Sequence, residues 1–232
     1  MRKAFTSPMR KAERIIGFIY VPIHIFILPF LVVAAMGLLF PASGGDAAAP
    51  LVNLAYYVFS CVFLFAVMFR FLKASFNDML DWKARALQGV LFGIALYFLL
   101  ALVLSLILSS LSLGVSNPNS DEIDREAIVN RGAIFTVALI LAPISEELMF
   151  RGVVFGSIRR KSRILAYAVS ALLFSFYHVW QYFFVSYDPS LFINVLQYIP
   201  PSIALAYCYE RSGSIWPPIL LHAAINLIAL TA

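Results

Sequence analysis

Charge is scarce in this chain. Only 12% of its 232 residues are Asp, Glu, Lys or Arg, against about 25% in a soluble domain. That scarcity excludes a soluble globule, a disordered chain and a nucleic-acid-binding module. Cysteine is scarce too. Cys61 and Cys208 both sit in apolar runs, which predicts buried thiols and excludes a disulfide framework. There is no HExxH sequence, so the local spacing of a zincin is missing. There is no internal repeat, no long low-complexity tract, and no matched pair of broken helices of the kind that marks a secondary transporter.

Apolar residues fill the space. They make up 62% of the chain, and the mean hydropathy is +0.89. A membrane crossing needs roughly 20 apolar residues. Seven candidate crossings are present: Ile15–Phe40, Leu51–Leu72, Leu87–Ser109, Gly132–Phe155, Ile164–Phe183, Leu191–Tyr209 and Ile215–Thr231. Backbone polar groups in lipid must be satisfied within their own segment. The expected fold is therefore all-α, a polytopic transmembrane helical bundle of about seven spans. Pro41–Pro50, Ser116–Arg131, Tyr187–Ser190 and Ser212–Ser214 read as the intervening turns and loops. The first span has too long an apolar run for a secretory signal core and reads as a retained signal anchor. Pro22, Pro29 and His24 are expected to kink or pack it.

The net charge is +5, from 17 Lys and Arg against 12 Asp and Glu. Its distribution sets an orientation. Lys and Arg concentrate in residues 2–14, 70–85 and 159–163, and loops 41–50 and 184–190 have none. Arg211 is a weaker vote in the same direction. The positive-inside rule then places the N-terminus in the cytoplasm and the C-terminus outside.

Ionisable residues within a span are expensive and mark a functional site by default. The first three spans offer only His24 and isolated Asn53, Cys61 and Ser105. The fourth contains Glu146-Glu147 followed by Arg151. Glu147 and Arg151 are four residues apart and can pair on one helix face. Glu146 is turned about 100° from its neighbour, so one acid can be neutralised while the other faces a cavity. Pro143, one turn earlier, is positioned to loosen the helix. Phe174 and His178 share a face of the fifth span, and His222 and Asn226 share a face of the seventh. One spare carboxylate, two imidazoles and an amide suffice for hydrolysis. A carboxylate can take a proton from water, an imidazole can hold it, and His with Asn can stabilise an oxyanion. Taken singly these residues have ordinary uses: packing for a membrane His, a structural ion pair for Glu147 and Arg151, and interhelical bonding for Asn226.

The ordered motifs Glu146-Glu147…Arg151, Phe174…His178 and His222…Asn226 resemble the CPBP family, also called Abi. That family includes type 2 CAAX prenyl endopeptidases and bacteriocin-processing or bacteriocin-immunity membrane proteins. Ala142-Pro143, Gly152 and Gly213-Ser214-Ile215-Trp216-Pro217-Pro218 match the flanks of its motifs. The resemblance covers residues 132–232 and divides the chain into an N-terminal transmembrane region, 1–131, and a catalytic region, 132–232. It implies an intramembrane endopeptidase in which Glu146 and His178 activate water, His222 and Asn226 stabilise the tetrahedral intermediate, and Glu147 with Arg151 fix the fourth helix. No cofactor is favoured. Zinc remains an alternative, with Glu146, His178 and His222 as its candidate ligands. The expected partners are the bilayer and a membrane-associated protein or peptide substrate, prenylated or a peptide precursor, with no nucleic acid.

Two other functions fit the composition: a non-catalytic adaptor or immunity protein, and a proton-coupled transporter. Trp180, Tyr182, Phe183, Phe184 and Tyr187 read as an interfacial belt. The acidic segment Asp121–Glu126 reads as a short solvated helix without function. One spacing is awkward. His178 lies about 22 Å along a straight helix from Arg163, and His222 only about 10 Å from Ile215. For them to meet, the fifth helix must tilt, start below the membrane surface or break.

Overall fold

A computed structural model describes residues 5–40, 48–113, 117–184 and 190–231. Residues 41–47, Ser116 and residues 187–189 lie outside these, so most of the expected Pro41–Pro50 turn, the Tyr187–Ser190 turn and the belt residue Tyr187 do as well.

The described residues form helices and no strands. α1 (Lys11–Phe26) and α2 (Leu28–Leu39) meet at a 58° bend. Pro29 lacks the N–H that would continue the ladder, which breaks the helix at Ile27. α3 (Ala49–Asp81) and α4 (Lys83–Ser110) follow, separated by Trp82 alone. α5 is one helical stretch over Pro118–Ile158. α6 (Arg163–Tyr177) leads into a 3₁₀ turn, Trp180–Phe184. α7 (Ser190–Gln197), α8 (Ile199–Ser212) and α9 (Trp216–Thr231) complete the chain.

All seven expected segments are helical, but the number of spans is smaller. Among the described residues, four stretches are long and apolar enough to cross a membrane: α3, α4, α5 and α7 with α8. The bent pair α1 and α2 makes a fifth. α6 and α9 have only 15 and 16 residues. The fifth expected span, Ile164–Phe183, ends early because the helix stops at Tyr177, with His178 as its C-cap. The expected loop Arg70–Arg85 is helical on both sides of Trp82.

α5 starts well before the expected Gly132. Its first part is polar, and the backbone breaks at Asn130 (φ −148°, ψ 81°). There the Asn130 side chain accepts from the Ala133 N–H at 3.0 Å and caps the apolar part that follows. The acidic segment is thus helical as expected, but it packs against α3 instead of standing free in solvent.

Large apolar side chains of α3, α5, α6 and α8 build the core, with Leu64, Met68, Phe71, Phe150, Phe155, Phe174 and Leu205 almost completely buried. α3 is kinked at Met68 (φ −106°, ψ 17°). Just beyond it the Phe71 N–H donates to the buried Glu13 carboxylate at 3.1 Å, which ties α1 to the break. The basic loops gather at one end. Arg159 and Arg163 pair with Glu210, the Arg85 guanidinium donates to the Arg211 carbonyl, and Phe5 packs on Phe155 and Tyr209.

α4 touches the rest mainly through Gly89 and Gly93, its two buried residues. A Cβ on Gly93 would lie 2.5 Å from Leu221 and 3.3 Å from Cys208. Small residues four apart let this helix approach α8 closely, as membrane helices without a hydrophobic driving force require. Replacing Gly93 by Val should lower the thermal stability of the detergent-solubilised protein by roughly 1–3 kcal/mol, the usual cost of overpacking. Gly37→Val is the control, since a Cβ at Gly37 would meet nothing within 4 Å.

Candidate active site

The site is built around a helix that departs from α-geometry. α5 is π-helical over Val137–Leu141 and Glu147–Phe155, with an α-helical turn, Ala142–Glu146, between them. π-turns are rare and concentrate at functional sites. Pro143 supplies one reason for the wide winding. In an i→i+5 ladder the Ala138 carbonyl would accept from residue 143, which has no N–H. The Asn226 side-chain amide donates to that carbonyl instead, at 2.8 Å. Asn226 is thereby anchored to α5 by one of its two N–H groups.

Glu147 and Arg151 pair as the four-residue spacing predicts. The Arg151 guanidinium donates to Glu147 Oε1 at 2.7 Å, and both side chains are fully buried. Arg151 also donates to the Ser202 carbonyl and hydroxyl and lies 4.2 Å over the Phe174 ring. Glu147 Oε1 has a second partner, His222 Nδ1, at 2.9 Å. Glu147 therefore orients an imidazole as well as an arginine. It holds the proton on Nδ1 and leaves Nε2 facing inward.

Glu146 points the other way, as its rotation around the helix requires. Its Oε2 has no hydrogen-bond partner among the described residues. His178 Nε2 lies 3.7 Å from this oxygen and His222 Nε2 lies 3.8 Å from it. His178 Nδ1 is 2.8 Å from the Phe174 carbonyl, so that nitrogen carries the proton and Nε2 presents a lone pair. The Phe174 ring packs against both imidazoles, and Tyr198 stacks on His178 at 4.4 Å.

The structure thus brings Glu146, His178 and His222 together and places Glu147, Arg151 and Phe174 behind them. Asn226 lines the same cavity. This cavity measures about 660 Å³ and lies among α1, α2, α3, α5, α6 and α9. Its inner end is formed by Glu146, His178, His222 and Tyr57, and its rim by Asn53, Ser120, Glu122, Asp124 and Glu126. The acidic segment therefore borders the site, in contrast to the functionless solvated face expected for it. The Glu126 carboxylate accepts from Asn53 at 3.2 Å, and the Tyr182 hydroxyl donates to Glu122. Trp180 lines the cavity as well, so the aromatic cluster does more than belt the interface.

Tyrosines are what the motif reading missed. The Tyr57 hydroxyl donates to Glu146 Oε1 at 2.9 Å, and Tyr177 stands 3.0 Å from Tyr57. Tyr177 immediately precedes His178, but a tyrosine in an apolar helix carries no signal that separates packing from hydrogen bonding.

The same atoms bear on zinc binding. Ligands about 2.0–2.1 Å from zinc at tetrahedral angles lie about 3.3 Å apart. The 3.7 and 3.8 Å separations here are wider, and among the described residues no group of three His, Cys, Asp or Glu side chains is arranged to hold a metal ion.

Titratable side chains converging on a cavity inside a bundle of membrane helices define an integral membrane protein with an intramembrane polar site. Comparison with known proteins gives its likeness. Residues 129–228 match the family model described as type II CAAX prenyl endopeptidase Rce1-like, and over these residues the chain is similar to that family. The UPF0177 protein YvdC of Lactococcus lactis is 23% identical over 75% of this chain and 64% of its own length. The UPF0177 protein YaiF of the same organism is 30% identical over 66% of each chain. A Bacillus subtilis protein named "Putative membrane peptidase YdiL" is 30% identical over 39% of this chain and 33% of its own. The chain thus spans about two thirds or less of the relatives it matches. No solved structure matches it.

Removing either partner of the buried pair strands a charge, at a cost of about 3–5 kcal/mol. Arg151→Ala and Glu147→Ala should therefore accumulate poorly and lose their monodisperse peak in detergent at a lower temperature than wild type. An Arg151→Ala protein as abundant and heat-resistant as wild type would contradict this account of the pair.

Proposed function

We propose that this protein is an intramembrane endopeptidase that hydrolyses a peptide bond of a membrane-associated substrate by activating water with Glu146 and His178. One observation carries the reading: the buried, unpaired Glu146 Oε2 faces the Nε2 atoms of His178 and His222 at the inner end of a cavity large enough for a peptide segment.

A water held between Glu146 Oε2 and His178 Nε2 gives its proton to the carboxylate as its oxygen bonds to the scissile carbonyl carbon. The carbonyl electron pair moves onto oxygen. His222, entering the cycle doubly protonated and leaving it so, stabilises that oxyanion. Its Nδ1 proton rests on Glu147, and its Nε2 proton points into the cavity and stays on the ring throughout. The second amide proton of Asn226 is a further donor. The proton on Glu146, passed directly or through His178, goes to the leaving amine as the C–N bond breaks. Each group returns to its starting state.

Clustering of the basic loops at one end supports a cytoplasmic N-terminus and an outside C-terminus. The acidic rim then opens on the outer side. The substrate is a membrane-bound peptide precursor or regulator, prenylated or not. No step requires a metal, and purified protein should keep its activity after chelation. Complete loss that zinc restores would overturn this part.

The test compares wild type with Glu146→Ala and His178→Ala at matched expression, by mapping N- and C-terminal peptides of small membrane and secreted proteins. Specific cut ends should vanish in both variants while the proteins accumulate normally. Identical profiles, with a phenotype on gene deletion, would point to a binding role instead.

A further inference from the structure

We infer that Tyr57 is a positioning residue for Glu146, so that helices outside the family match complete the site. This inference rests on the hydrolase reading above and deepens it. A carboxylate has two equivalent oxygens, and which one faces the water depends on what holds the other. Here the Tyr57 hydroxyl donates to Glu146 Oε1 at 2.9 Å, and Oε2 is left facing His178 and His222. Without that donor the group is free to turn about its last bond, and neither oxygen has a fixed place.

Tyr57 is itself held. With its proton committed to Glu146, its oxygen accepts from the Tyr177 hydroxyl at 3.0 Å. The Tyr177 oxygen in turn lies 3.3 Å from the Tyr56 hydroxyl and 3.3 Å from His24 Nε2, either of which can donate to it. His24 is completely buried, Tyr56 is 2.7 Å from its Nε2, and the Ser60 hydroxyl is 3.2 Å from its Nδ1. Both imidazole nitrogens therefore have partners. The Tyr56 hydroxyl has a further acceptor, the His24 carbonyl at 3.1 Å. Next to the carboxylate the direction is fixed: Tyr177 donates to Tyr57, and Tyr57 to Glu146. Buried polar groups cost free energy unless satisfied, and these two hydroxyls are satisfied with their protons directed at Glu146. His24, Tyr56 and Tyr57 all precede residue 129, where the family match begins.

The test uses the full-length protein and a synthetic peptide spanning a cut end that disappears in Glu146→Ala. Tyr57→Phe keeps the ring and removes only the hydroxyl. Its kcat should fall roughly 10- to 100-fold, the effect of a small misplacement at the reacting centre, while KM and the thermal midpoint stay near wild type. A kcat within about twofold of wild type would overturn the inference, as would a lowered thermal midpoint with unchanged turnover. Should Tyr57→Phe fail to accumulate, Tyr177→Phe serves instead. It leaves Tyr57 in place but unsupported, and should lower kcat several-fold with unchanged KM; unchanged turnover overturns the inference. The two levels of failure separate cleanly. Cut ends that persist in Glu146→Ala defeat the hydrolase reading itself, and ends lost there but made at full rate by Tyr57→Phe defeat only the role of Tyr57.

Discussion

A single oxygen atom, Oε1 of Glu147, organises this protein. It accepts from Arg151 one helical turn away and from His222 on another helix. Arg151 extends the network to the Ser202 backbone of α8 and covers Phe174 of α6. Four helices are thus joined at one carboxylate. Burying such charges is costly, and the attraction repays the cost only when every partner is in place. The arrangement therefore specifies one packing of α5, α6, α8 and α9 rather than merely holding them close. It also holds the His222 ring through Nδ1. A group that looks structural in the primary sequence orients its neighbour.

The wide winding of α5 belongs to the same design. Two π-helical stretches flank the turn that carries Glu146, and Pro143 leaves the Ala138 carbonyl without its ladder partner. Asn226 supplies the missing donor. Helix irregularity and side-chain placement are here one feature: the proline that disturbs the backbone creates the acceptor that locates the asparagine.

The helical character of every apolar segment was legible in the sequence because lipid leaves the backbone no alternative. That the two acids face different partners was legible as well, since a step of about 100° around a helix separates adjacent side chains whatever surrounds them. The number of spans was less so. Hydropathy windows run through Tyr177 and His178 into Trp180–Phe184, although the helix ends there, and they pass over the break at Ile27 except for the warning of Pro29. Asp121–Glu126 misled through composition alone. Two of its four acids, Glu126 and Glu122, are hydrogen-bonded by Asn53 and Tyr182, residues distant in sequence and unremarked in any motif. Tyr57 escaped for the same reason. Its contact with Glu146 joins residues 89 positions apart, and only the folded chain states it.

The shortness of α6 bears on how water enters. Its 15 residues cover about 22 Å at 1.5 Å per residue, less than the roughly 30 Å of a typical hydrocarbon layer. Lipid adjusts to a short helix by thinning around it, at a fraction of a kcal/mol per Å of hydrophobic mismatch. His178 caps that helix and lines the cavity, so thinning around α6 brings the headgroup region closer to the polar site. A carboxylate and two imidazoles can then stay hydrated within the membrane.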